Sequence, residues 1–582
     1  MLVEGMFFFE RSVGSRSYRL VAQSLWDPVR KQPYSRQAVL GPAGPPPHVD
    51  LSQTKTVGQR RIGDVGALVW VAEQLDLVNV IDRACGAERT DGPSIGEMVL
   101  AVALQRVCEP GAKRDLTEFL EGSLPRASCL KASAFSGQAF YRVAQRASVA
   151  GLDAAQIAVA ETAVRRFGLS VDVLAFDTTN FDTFIATTTP GELARRGHAK
   201  SKRADLRVVG LAVLASETGH VPLLHRTYAG NAADQTVLTD CLSRLGEVHD
   251  ALGRADGRGE RATRTLVRDG GSWSEQLELH LDVAGYYTLI SLPLGHGAAK
   301  AALQWAAQPR KMKALSGKLR GIRAARIRQS VGDLDRTLLV VESPELLAGQ
   351  KRGIAAALKK AKGKLEQLQR SAEAGRVDAE TLRRRVDEVL AREHLSDFVE
   401  TKIGNRGGHP YLQFQVNAKK RALLERTRLG KRVLCTDRHQ WGAERIVRAF
   451  RGQWHVEELF RRTKKGGIAA WGPSHQWNDA SLRLHTFATV LGLTLVSLAR
   501  LALRSTLSAK GLMEMLASIE ATMVRTTTGA PGRRPTVLLA PELTAEQRRA
   551  VEIFDMDRWM PSILSSSQMQ PGHRRAKPAI AA

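Results

Sequence analysis

Cysteine is scarce in this chain: five in 582 residues, at 85, 108, 129, 241 and 435. None forms a CxxC pair and the number is odd, which argues against a disulfide framework or a zinc knuckle and predicts a reducing compartment. Aromatics are only 5% of the residues, so Leu, Val and Ala must fill the cores that a 43% hydrophobic content allows. Long apolar runs are missing. The longest, Thr486 to Ala499, is too short to span a bilayer and is followed by Arg500, so it predicts a buried core helix. The opening Met-Leu-Val-Glu-Gly-Met-Phe-Phe-Phe-Glu lacks the basic start and cleavage site of a leader. Together these absences predict a soluble, cytoplasmic protein. Acid is short as well: 59 Asp+Glu stand against 85 Lys+Arg, a formal charge of +26 spread along the chain. Distributed positive charge favours a polyanion, because Lys and Arg neutralise phosphates and release counterions. Nucleic acid is the expected partner.

The length suggests about three or four domains. Residues 1–60 read as an N-terminal β-hairpin, over 17–40, followed by the proline-stiffened linker Gly-Pro-Ala-Gly-Pro-Pro-Pro at 41–47. Residues 61–168 have helical periodicity, as in Val65 to Leu77, Ile95 to Val107 and Ala154 to Phe167. This region is either a small DNA-binding domain or packing scaffold. Strand patterns then begin: Val171 to Phe176, Leu206 to Leu214 and Val221 to Tyr228. A helix is expected from Gln235 to Leu252, a strand from Thr265 to Arg268, a helix from Ser274 to Leu281 and a strand from Tyr286 to Leu292. That order matches an RNase H-like core. The fold class is therefore α/β, an RNase H-like mixed sheet with flanking helices, its first part spanning 169–296. Residues 297–430 interrupt the core with an insertion. Within it, Glu345 to Arg392 reads as an antiparallel helical hairpin broken near Glu373-Ala-Gly-Arg. The core resumes over 431–505, with one long helix from about 442 to 466. Residues 506–582, with Gly532-Arg-Arg-Pro and His573-Arg-Arg-Ala-Lys, read as a basic and partly disordered end.

Three acids stand out. Asp177 ends the apolar run Val-Leu-Ala-Phe-Asp-Thr-Thr-Asn, where an ionised carboxylate needs a cation or hydrogen bonds. Asp182 is a nearby alternative. Asp269 follows Thr-Leu-Val-Arg and precedes Gly270-Gly271, which permit a tight turn and a close backbone approach to phosphate. On a helix turning about 100° per residue, Phe450, Gln453, Glu457, Phe460 and Lys464 share one face. The two phenylalanines predict that this face turns inward, and Glu458 lies off it. Three carboxylates on such a scaffold suit a two-metal phosphoryl-transfer site. His198 and His455 have no partners at metal spacing.

The Phe450, Gln453, Glu457, Lys464 stretch resembles the third motif of DDE-type insertion-sequence transposases, the group with Tyr, two residues, Arg, three residues, Glu, six residues, Lys. The spacing matches in full; Phe replaces Tyr and Gln replaces Arg. Ala-Phe-Asp177-Thr-Thr-Asn, Arg196-Gly-His-Ala-Lys-Ser-Lys-Arg-Ala-Asp205-Leu and Tyr228-Ala-Gly-Asn-Ala-Ala-Asp-Gln are similar to the same group, over roughly residues 165 to 505. The resemblance implies a DNA transposase that cuts element ends, at terminal inverted repeats, and joins them to target DNA. It implies that Asp177, Asp269 and Glu457 are the catalytic metal ligands, holding two Mg²⁺ ions about 4 Å apart, with Mn²⁺ able to substitute. It implies phosphate contacts from Lys464 and Arg461, and places Gln453 near the DNA. The basic segment Arg195 to Arg207, with Arg195, Arg196, His198, Lys200, Lys202, Arg203 and Arg207, is a candidate phosphate-contacting loop, foremost Arg196, Lys200, Lys202 and Arg203. Trp273 is either a stacking platform for an unpaired base or a core residue. A homodimer at synapsis and a nucleoid location follow from the family. The hairpin is either a dimer contact or a spacer. The other readings are an RNase H-like metal-dependent nuclease without strand transfer, and a decayed protein that binds DNA ends.

Overall fold

The structure, a computed structural model, describes residues 6–564 except 15, 28–30, 44–50, 87–91, 124, 127, 233, 257–263, 309, 465, 473, 475, 528–535, 540 and 560–562. The prolines at 45–47 and the basic clusters at 532–534 and 573–577 lie outside the described residues. The fold is mixed α/β. The chain divides into two compact units: one holds Met1–Leu266, Val283–Tyr286 and Gly452–Ala582, the other Val267–Asp282 and Tyr287–Arg451.

The first unit is organised about the helix Asp479–Ala502. By length and composition this 24-residue helix is long enough to cross a membrane, longer than the apolar run alone implies, and 94% of its apolar window is buried inside the protein. It packs on the helix Ile95–Cys108, on Gly137–Arg146 and on the strand Pro222–Ala229. Four of its buried hydroxyls are used. Thr486 and Thr489 donate to carbonyls one turn back, at Leu482 and His485, each at 2.8 Å. Thr494 reaches Pro222 O at 3.1 Å and Ser497 reaches His220 O at 3.1 Å, pinning the turn before that strand. An apolar helix with a few satisfied hydroxyls is suited to a dry protein core.

Around it stand Gly63–Gln74, Leu77–Ala84 and Val149–Phe167, the helices expected between 61 and 168. Three strands, Val173–Thr183, Arg207–Ser216 and Pro222–Ala229, pair antiparallel in sequence order. The helix Asp234–Asp256 follows, and then the strand Arg264–Arg268, whose Thr265 N–H donates to Asp172 O at 2.8 Å. The strand–helix order matches the expectation element by element.

One expectation for the ends of the chain is corrected. The N-terminal hairpin is a three-stranded antiparallel sheet, Met6–Val13, Arg16–Asp27 and Gln32–Pro42, because the phenylalanine-rich start supplies an additional strand. The first two residues of the supposed linker, Gly41 and Pro42, belong to its last strand. The basic clusters that carry the expectation of partial disorder lie outside the described residues, and the described residues between 506 and 559 include helices and strands. The helix Ala509–Ala517 leads into the strand Glu520–Thr526, which pairs antiparallel with Thr54–Arg61. Trp559 is fully buried with Phe8 edge-on at 5.0 Å. A few large apolar residues hold this segment despite its basic composition.

In the second unit, strands lie in the order Lys313–Ala314, Arg323–Val331, Leu334–Glu342, Lys431–Thr436 and Tyr286–Leu292, with antiparallel neighbours. The strand Arg323–Val331 was not foreseen; its alternating Arg and apolar residues mask the pattern. Helices Pro344–Glu373 and Ala379–Leu390 form the hairpin, with the break at 374–378. They close a small core of their own through Leu365, Leu382, Val386, Phe398 and Leu412.

Candidate active site

Asp177 sits inside an eleven-residue strand, not at its end, and lies opposite Val213 on the next strand. The β-branched Thr178 and Thr179 and the aromatic Phe181 carry the strand on to Thr183. Asp177 is half-buried and accepts the Thr178 N–H at 2.7 Å. Side chains alternate along a strand, so Asp177 shares a face with Thr179 and Phe181, while Asn180 and Asp182 face the other way. That second face is covered by the basic loop. Asn180 donates to His198 O at 2.8 Å and accepts from Lys200 N at 3.0 Å, and Ser201 donates to Asp182 at 2.7 Å. Asp182 is therefore occupied in holding the loop.

Glu457 lies on the helix Gln453–Thr463, which packs against the Asp177 strand within the first unit. The single helix expected over 442–466 is two, Ala443–Arg451 and Gln453–Thr463, parted at Gly452. Apolar periodicity runs through the break, which hid it. The expectation of one inward face is corrected: Phe460 and Gln453 are buried, Glu457 is exposed, and Lys464 is exposed beyond the helix end. Glu458 pairs with Arg461 and with Arg462, the latter at 3.2 Å. Arg461 is therefore partly engaged, whereas Glu457 faces solvent.

What fixes this helix to the strand is Trp471, which the sequence reading passed over. Its ring, 1% exposed, stacks on Phe181 of the Asp177 strand at 4.8 Å and 13°. Its indole N–H donates to Thr486 at 2.9 Å, and its backbone N–H to Thr463 O at the end of the Glu457 helix, at 2.7 Å. His485 closes the group through Nε2 to Trp471 O at 2.8 Å. A carbonyl only accepts, so that imidazole is the Nε2–H tautomer. Complete burial holds the ring well below the ordinary histidine range.

A second ring contact lies beside the same helix. His455 lies against His220, the ring centroids 3.5 Å apart and the planes tilted by 50°, with the exposed Trp454 edge-on to both. Burial, then the charges of His455, Arg462 and Arg500, push His220 down to about 3. His455 is lowered by burial and by Arg500 and Arg462. His220 is neutral in the fold near neutral pH, whereas an unfolded histidine titrates near 6.5. The sign follows. Below about 6.5 the unfolded chain takes up a proton that His220 refuses in the fold, so this ring costs stability as pH falls from there toward 3. His220 has φ +58°, a left-handed conformation that Asn tolerates. His220→Asn is therefore expected to lose less stability than the wild type between pH 7 and pH 5, read as the shift in urea midpoint. An equal loss in both proteins would remove His220 from the account.

Asp269, in the second unit, is exposed and caps a short 3₁₀ turn, accepting Gly270 N–H at 2.8 Å. The glycine is obligatory: a Cβ at 270 would lie 1.8 Å from Ser291 O. The preceding Arg268 is buried, bonded to Glu278 and to Thr288 Oγ1 at 3.3 Å, and burial lowers it to about 10. Trp273 sits edge-on to His296 at 4.9 Å and packs on the apolar cluster around Ile290 and Leu292, which favours the core alternative. Asp437, an acid not singled out from the sequence, accepts Thr288 N–H at 2.9 Å and is raised by burial.

The basic loop is sorted by its contacts. Lys200 Nζ is turned onto Thr178 O. Arg203 holds Asp205 at 2.7 Å, drawing that carboxyl down to about 2. Lys202 and Arg196 are exposed. Gly197 and Gly230 let two turns meet, since a Cβ at 197 would lie 2.1 Å from Gly230 O. This contact explains why Arg196-Gly-His and Tyr228-Ala-Gly occur together. A carboxylate oxygen is the donor type that Mg²⁺ takes. Among the described residues no three His, Cys, Asp or Glu side chains are gathered as a metal site.

No family model matches the chain. No curated protein matches it either. A solved structure similar to it is the cryo-EM structure of a piggyBac transposase synaptic complex with hairpin DNA. The two share 8% identity over 79% of this chain and 81% of that one, with a TM-score of 0.33.

Proposed function

We propose that the protein is a DNA transposase of an insertion sequence, cutting DNA at element ends and joining the freed ends to target DNA. The observation that carries this reading is local. An acid in the middle of a core strand lies on the face clamped by Trp471 to a helix that presents Glu457, within a chain of net charge +26. Asp177, Asp269 and Glu457 supply carboxylate oxygens for Mg²⁺. Mg²⁺ held by these carboxylates would supply charge stabilisation on the phosphodiester and activation of the attacking hydroxyl. Lys464, Arg461 and Arg196 meet backbone phosphates; Gln453, being buried, braces its helix. Hydrolysis breaks one P–O bond and leaves a 3′-hydroxyl. That hydroxyl then attacks a target phosphodiester, and the proton it loses ends on the expelled oxygen. No covalent bond to the protein is formed, and two ends held together call for a dimer.

The test is cleavage of a labelled duplex carrying the DNA that flanks the gene, with Mg²⁺, Mn²⁺ or EDTA. A nick at one defined position with either metal and none with EDTA is expected. Salt-sensitive binding without a cut in either metal would contradict catalysis and favour an end-binding protein.

A further inference from the structure

A hollow of about 390 Å³ opens beside the loop between the first two core strands, and its lining is Thr187, Arg195, Arg196 and Arg207. No carboxylate lines it. Two of its arginines are fixed in place. Arg207 donates to Thr189 O at 2.8 Å and to Thr187 O, and Arg195 Nε donates to Glu192 O at 3.3 Å. Their backbones are also tied, since Arg195 and Val208 exchange both hydrogen bonds, at 3.1 and 2.7 Å. Arg196 is exposed at the mouth. The acid in reach of Arg196 is Asp205, and Asp205 is already held by the Arg203 guanidinium. Three arginines line one hollow. Their forked donors match phosphate geometry.

We propose that this hollow is a phosphate seat, and that its occupant is a phosphate of the DNA backbone. The choice of DNA rests on the proposed function; the seat itself rests on the three arginines. It assigns positioning roles to Arg195 and Arg207, whose side chains are tied to backbone carbonyls. The pre-anchored side chains lose little freedom on binding, so the seat fixes the register of a strand along the core without reading its sequence.

The test compares the wild type with Arg196→Gln and with Arg195→Gln/Arg196→Gln. Thermal unfolding first confirms that the variants fold. Binding of a mixed-sequence duplex is then followed by anisotropy across a salt series. The slope of log affinity against log salt is expected to fall by about 1 per arginine, equally for unrelated sequences. Wild-type slope and affinity in the double variant would overturn the seat while leaving the proposed function standing. If the wild type binds no DNA, the proposed function fails, and inorganic phosphate and pyrophosphate decide the seat. Thermal stabilisation of the wild type that is lost in the double variant upholds a phosphate site with a small ligand, and equal or absent stabilisation overturns it.

Discussion

Asp177→Asn is expected to abolish metal-dependent strand cleavage while leaving DNA binding within a few-fold of the wild type. The amide keeps the shape of the side chain and its Thr178 N–H contact, but removes the charge that holds a divalent cation. Metal stabilisation of the transition state is worth several kcal/mol, so the single-turnover rate falls by roughly 10³-fold or more. On the proposed function each of Asp269→Asn and Glu457→Gln would remove one carboxylate donor, so both are expected to behave alike. Asp182→Asn is the informative control. That carboxylate lies on the opposite face of the strand, bonded to Ser201, and its loss should spare cleavage. Cleavage lost in Asp182→Asn but kept in Asp177→Asn would reassign the acid.

Trp471→Ala is expected to destabilise the protein by about 3–5 kcal/mol, the usual cost of removing a large buried aromatic. The change also leaves the Thr486 hydroxyl without the indole and removes the stack on Phe181. Trp471→Phe keeps a ring against Phe181 and loses only the N–H, so about 1 kcal/mol is expected. Urea unfolding measures both. The account further expects Trp471→Phe to lower the cleavage rate less than its alanine counterpart, because the ring ties the Asp177 strand to the Glu457 helix. Two variants of wild-type stability would show that the clamp is not what holds these elements together.

Much of the core was legible because each strand is a short run of β-branched and apolar residues bounded by turn residues. Tyr286–Leu292 matches its expected ends, and the helical hairpin matches within a few residues. Periodicity failed where two signals overlap. Apolar spacing continues through Gly452, so two helices read as one, and Glu457 was expected to face inward when it faces out. Asp177 was placed at a strand end because an acid normally stops an apolar run, yet the residues after it continue the strand. Trp471 carried no local sign of its role: its partners Phe181 and Thr486 are brought to it only by the fold. The loop arginines were visible as charge. Which of them are spent, Arg203 on Asp205, and which remain for an anion depends on side-chain pairing that composition does not reveal.

The most direct measurement of the central claim is strand transfer. A duplex with a free 3′-hydroxyl at the flanking sequence is incubated with the protein, Mg²⁺ and an unrelated plasmid, and the products are sequenced across the junctions. The account predicts that the 3′ end becomes covalently joined to plasmid DNA, and that joining disappears in Asp177→Asn. Cutting without any joined product would contradict it and would make the protein a metal-dependent nuclease.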